Sequence, residues 1–144
     1  YEEIAQMMDC PIGTVRSRDW LGRGKSEFFT GEKVRIEIDH DRTLASVKKP
    51  YLWVGIFRSD NIFCYARMRR LKRSGGTSVL LFAALPLLPG EYRVAVGIWD
   101  GERKTFVAFK AHGLCLAMCC RREDHGTIYL SHTWDVNING QQYK

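Results

Sequence analysis

LPLLPGEYRVAVGIWDGE, residues 85–102, is the stretch whose reading decides the fold. Pro89-Gly90 is a turn signal, and Tyr92 follows it at the first inward position of a strand. Val94, Val96 and Ile98 continue the apolar alternation until Asp100-Gly101 turns the chain again. A Tyr just after such a turn, with Leu88 just before it, matches a tyrosine corner. In that motif the hydroxyl returns to nearby backbone beside a Greek-key crossover. The expected fold class is therefore all-β, an immunoglobulin-like antiparallel β-sandwich.

The rest of the chain supports two units. From Phe28 onward the period is two: in KVRIEIDH, Val34, Ile36 and Ile38 alternate with Arg35, Glu37 and Asp39. PYLWVGIFRSDN and NIFCYARMRR predict two strands joined through Ser59-Asp60-Asn61, and SVLLFAAL a buried strand. TFVAFKAH, LCLAMCC and GTIYLSHTWDV predict three more, with Trp134 packed where the last one ends. Residues 1–18 differ. Ile4, Ala5 and Met8 share a helical face, Asp9-Cys10-Pro11 breaks it, and Gly13-Thr14 opens a second short helix. The expected division is a partial helix-turn-helix and linker over 1–24, then a sandwich over 25–144.

At 144 residues with 26% charged side chains, the composition is that of a folded chain, not a disordered one. No apolar run reaches the roughly 18 residues of a membrane span, so no membrane insertion is expected. No charged-then-apolar leader is visible. Five irregularly spaced cysteines favour a reducing cytoplasm over a disulfide framework. The net charge of +6 suits a polyanion partner, although it also does no more than keep a domain soluble.

Four pieces carry a resemblance: FFTGEKVRIEI, PYLWVGIFRSDN, LPLLPGEYRVAVGIWD and GTIYLSHTW, in that order over residues 28–134. Together they resemble the C-terminal polysaccharide-binding domain of O-antigen ABC transporter ATPase subunits, the Wzt type. The resemblance implies a cytoplasmic sandwich, held at the inner-membrane face through a transporter, that recognises an exported bacterial polysaccharide. It also implies transporter nucleotide-binding and membrane subunits as partners, a homodimer, no cofactor and no catalytic residue. ATP hydrolysis would belong to another domain, and no GxxxxGK[ST] phosphate loop occurs here. YEEIAQMMDCPIGTVRSR, residues 1–18, is similar to the region-four helix-turn-helix of sigma-E-type extracytoplasmic-function sigma factors. That second likeness places Thr14, Arg16 and Arg18 on a recognition helix and implies DNA as an alternative partner, with the sandwich as a sensor.

Ring side chains are the candidate glycan contacts, because the C–H face of a sugar stacks on a ring while its hydroxyls seek polar groups. Trp53 and Phe57 share a strand face opposite Leu52, Val54 and Ile56. Phe63, Tyr65 and Arg67 alternate likewise on the next strand, and Trp99 ends the corner strand beside Asp100. The competing reading buries the rings as core. The cluster Arg67, Arg69, Arg70, Lys72 and Arg73 suits phosphate or uronate groups, or else guards a hairpin end against edge pairing. Cys115, Cys119 and Cys120 with His112 and His125 resemble a metal set only by composition. On a strand Cys115 and Cys119 stand about 13 Å apart, so no metal is expected and the thiols are read as small buried hydrophobes.

Overall fold

Alternation of branched aliphatics with polar residues gives the strands from Val34 onward one dry face and one wet face. The computed structural model describes residues 11–40, 46–72, 75–121, 123–135, 137–138 and 141–142. Two sheets pack face to face. The smaller has the order β1 (Ile12–Arg18), β3 (Val34–His40), β6 (Gly76–Phe82). The larger has the order β2 (Glu27–Phe29), β8 (Thr105–Cys119), β7 (Gly90–Asp100), β4 (Pro50–Arg58), β5 (Phe63–Arg70). All these pairings are antiparallel except β2 with β8. A separate short pair joins β9 (Asn137–Ile138) to β10 (Gln141–Gln142). Val34, Ile36 and Ile38 from the smaller sheet share one buried cluster with Leu52, Val54, Ile56, Val94, Val96 and Ile98 from the larger. This is the expected immunoglobulin-like sandwich.

The tyrosine corner is present. Tyr92 is buried, and its hydroxyl donates to the Leu88 carbonyl at 2.7 Å. That bond ties the connection entering β7 to the strand, and burial raises the phenol pKa. Tyr92→Phe leaves a buried acceptor without its donor and should cost about 1–3 kcal/mol in urea unfolding, with the fold retained.

The helix expected from Gly13 to Arg18 is instead strand β1, and no α-helix occurs among the described residues. The first helix of the expected pair lies outside them. The error has a physical source. A bulge between Ile12 and Val15 puts two buried residues three apart, which imitates helical spacing. Past the bulge, Arg16 pairs with Glu37 and Arg18 with Arg35, and Arg16 and Arg18 point away from the core. The supposed linker folds back on the strand: Arg18 bridges Gly24, and Lys25 N–H donates to Ser17 O at 3.1 Å. Residues 12–18 are thus an integral strand of the smaller sheet.

Glu37 sits under three arginines. Arg16, Arg18 and Arg35 each donate through Nε to its carboxylate at 2.7, 2.9 and 2.8 Å, and Arg16 also grips Asp39. Burial works against the charged Glu37, but bonds from Arg18 and Arg16 outweigh it and hold the carboxyl below its ordinary range. Bonds from Arg16 and Thr77 do the same for Asp39. Both acids therefore give up protons more readily folded than unfolded. Their stabilisation is complete above the ordinary carboxylate range and disappears as pH falls through the lowered values. Denaturant midpoints measured from neutral to acid pH should fall further for the parent chain than for Glu37→Gln.

Three other expectations change. SVLLFAAL is an edge strand, β6, with Leu81 exposed. TFVAFKAH and LCLAMCC are one long strand, β8. Among the described residues, GTIYLSHTWDV forms only a bridge from Ile128 to Leu87, with bonds from Leu88 N–H to Thr127 O and Tyr129 N–H to Pro86 O. Pro86 and Pro89 flank that bridge and lack the N–H groups a longer ladder needs. Trp134, expected to pack where that strand ends, is instead 84% exposed.

Candidate functional site

The outward face of the larger sheet is built from the residues between its core positions. On β4, Leu52, Val54 and Ile56 are buried, whereas Trp53 and Phe57 are partly exposed on the opposite face. Gly55 lies between the two rings. A Cβ there would fall 2.3 Å from Cη2 of Trp53, so the indole lies along the strand over the glycine. Gly97 on β7 has the same role, since its Cβ would meet Phe106 at 2.7 Å and Phe109 at 3.0 Å. The small residues form a floor on which large rings lie down.

The rings meet one another. Trp53 stands 6.4 Å from Phe57 and 5.7 Å from both Phe106 and Phe109, centroid to centroid. Phe63 extends the row beyond Phe57 at 5.3 Å, and Trp99 extends it beyond Phe106 at 5.0 Å. Edge-to-face and tilted contacts of this kind favour a fixed arrangement of the rings. Such a surface offers a sugar both ring faces and polarised ring edges.

A cleft of about 500 Å³ opens beside the row, its wall mixing Tyr92, Leu116 and Ala117 with Ser59, Asn61, Glu91, Arg93, His112 and Cys115. Arg93 joins the two regions. Its guanidinium lies 4.4 Å from the Phe57 ring centroid, and it donates to Ala111 O at 2.8 Å and to Asn61 Oδ1 at 3.3 Å.

No protein-family model and no curated protein matches the sequence. Among solved structures, the C-terminal domain of Wzt matches with a TM-score of 0.66, covering 88% of this chain and 84% of that one at 12% identity. The chain has the fold of the Wzt C-terminal domain. Bacteroides uniformis beta-glucuronidase gives a TM-score of 0.45 at 17% identity, covering 69% of this chain and 12% of that one. Among the described residues, no helix is long and apolar enough to cross a membrane.

On this Wzt-like sandwich, three expected contact residues come together: Trp53, Phe57 and Trp99 share the outward face. Tyr65 and Arg67 do not join them. Their register partners are the core residues Ile56 and Val54, so they face the other way. Tyr65 packs edge-on against Phe82 at 5.8 Å, and Arg67 borders Ile38, Ser78 and Leu80. The basic cluster is divided likewise. Arg67 and Arg69 lie on the inner side of edge strand β5, while Arg70 stacks on Tyr51 of the outer side. Arg73 lies outside the described residues. Thr14, Arg16 and Arg18 stand on a strand, with both guanidiniums bonded to acidic side chains of β3, so no recognition helix presents them. Cys115 is exposed, not buried, because it pairs with Arg93 on the outward face. Cys10 lies outside the described residues.

Phe106, Phe109, Gly55, Gly97, Arg93 and Asn61 escape a reading of the sequence alone. Phe106 and Phe109 are three apart, a spacing that alternation assigns to opposite faces. The ladder skips Val107 between Phe106 and Ala108, and that irregularity brings both rings outward. The glycines carried a signal: each sits mid-strand, Gly55 two residues from both Trp53 and Phe57, and Gly97 two residues from Trp99.

Proposed function

We propose that this chain is a non-catalytic carbohydrate-binding domain that holds a bacterial surface polysaccharide of the O-antigen type for export by an ABC transporter. The observation that carries the reading is the row of outward rings lying over Gly55 and Gly97. Phe63 is exposed and the other rings are half-buried, so the row is a partly open apolar surface of the kind that marks a binding face. Sugars suit this one, since ring faces take their C–H groups and the neighbouring cleft takes their hydroxyls. The Wzt-like fold supports the transporter setting, with nucleotide-binding and membrane subunits as partners at the cytoplasmic face of the inner membrane. Glycosidases pair two carboxyl groups across the scissile bond. Among the described residues lining the cleft, Glu91 is the single carboxylate, which supports binding without hydrolysis. Pairing into a dimer through open sheet edges is part of the same proposal and is read from the mass in solution.

Calorimetric titration with a panel of O-polysaccharides, neutral and uronate-bearing, tests the reading. Saturable binding without release of reducing ends is the expected result. A folded chain that binds none of them, or that cleaves one, overturns it.

A further inference from the structure

We infer that the cleft beside Arg93 is a second subsite, which takes an uncharged or N-acetylated sugar unit of the same polymer whose other units stack on the aromatic row. The inference rests on the glycan reading above and adds to it how much of the chain is read. Continuity is the first argument. Arg93 belongs to both regions, lying on Phe57 with one edge and bonding Asn61 and Ala111 with its nitrogens. It is therefore a fixed shared wall, not a loose surface cation.

The second argument is preorganisation. Ser59 N–H donates to Glu91 O at 2.9 Å, which fastens the β4–β5 turn to β7 at the cleft mouth. Asn61 adopts φ 68, a left-handed conformation that costs energy for most side chains but is tolerated by Asn. Its N–H donates to Arg58 O at 2.8 Å, and its side-chain oxygen accepts from Arg93. The turn is thus held in a strained shape that keeps its polar side chains on the cleft wall.

Chemistry supplies the third. The row is almost all ring, whereas the cleft sets a hydroxyl (Ser59), an amide (Asn61), a carboxylate (Glu91) and an imidazole (His112) around an apolar floor of Tyr92, Leu116 and Ala117. Such a set matches the alternating donors and acceptors of sugar hydroxyl and acetamido groups. The Glu91 carboxylate stands on the same wall as the Arg93 guanidinium and offsets it, which disfavours an anionic guest. At about 500 Å³ the cleft lies in the size range of small-ligand sites and accommodates a pyranose.

A site in two parts makes affinity grow with chain length until both are filled. The test uses a fragment ladder, disaccharide to hexasaccharide, cut from the O-polysaccharide that binds the parent chain best. It is titrated against the parent, Ser59→Ala, Glu91→Gln and Trp53→Ala. Ser59→Ala keeps the backbone N–H that fastens the turn. The expected result is that Ser59→Ala and Glu91→Gln weaken the longer fragments, Glu91→Gln by about tenfold, the loss typical of a hydrogen bond to a charged group. The disaccharide should be unaffected by either, whereas Trp53→Ala should weaken every length. Affinity that stops rising at the disaccharide overturns the inference and leaves the glycan reading intact. So does a loss in the two cleft variants that is equal at all lengths, or no loss at all. Failure of the parent chain to bind any whole polysaccharide removes both together.

Discussion

Trp53→Ala should lower the affinity for a bound O-polysaccharide by at least about tenfold, the loss expected of a central ring in a binding surface. Trp53 is the hub of the outward row, touching Phe57, Phe106 and Phe109. Its removal takes away the largest stacking face and also unseats its neighbours. The fold should survive, since the indole is only partly buried and the aliphatic residues of β4 point the other way. Calorimetry reads the affinity and urea unfolding the stability. Full binding by a folded Trp53→Ala chain would remove the row from the site. Loss of folding would place the ring among the residues that hold the sandwich together.

Gly55→Ala should abolish most of the binding while deleting nothing. The added methyl would lie 2.3, 2.8 and 2.9 Å from Cη2, Cζ3 and Cζ2 of Trp53. Real Cβ atoms do not approach other atoms so closely, so the indole must swing off the sheet. The clash is with the outer end of a side chain, not with backbone, so the sheet itself need not move. Alanine also restricts the unfolded chain, a gain of about 0.4–1 kcal/mol at a compatible backbone position. Unchanged or slightly raised stability with an affinity loss similar to that of Trp53→Ala is the expected pair of results. A near-ultraviolet circular dichroism change should accompany them, as the indole leaves its aromatic neighbours. Binding equal to the parent's would mean that the lie of the ring over Gly55 has no part in recognition.

How much of this was legible beforehand depends on whether strand regularity held. Where alternation is unbroken, as on β4, the sequence orders the faces correctly, and Trp53 and Phe57 were assignable from Leu52, Val54 and Ile56 alone. Where a bulge intervenes, period counting fails. On β1 the bulge between Ile12 and Val15 breaks the alternation that would have marked a strand, and on β8 an irregularity hid Phe106 and Phe109. Tyr65 and Arg67 lie on the other side of the sheet from Trp53 for a related reason. The ladder shifts between Ile56 and Phe57, so Phe63 stands opposite Phe57 and Cys64 falls between paired positions, leaving Tyr65 on the inner side. A one-residue slip exchanges the two faces of a strand.

The sequence by itself determined the sandwich, the tyrosine corner and the outward placing of Trp53 and Phe57. These depend on turn chemistry and period two, which are local properties of the chain. Only the tertiary structure decided that rings from β4, β5, β7 and β8 converge on one face beside the cleft of Arg93. That convergence depends on register between strands more than fifty residues apart in the chain, such as those of Trp53 on β4 and Phe106 on β8. Register is set by how the two sheets bury their aliphatic faces together, and no short window of sequence contains that information.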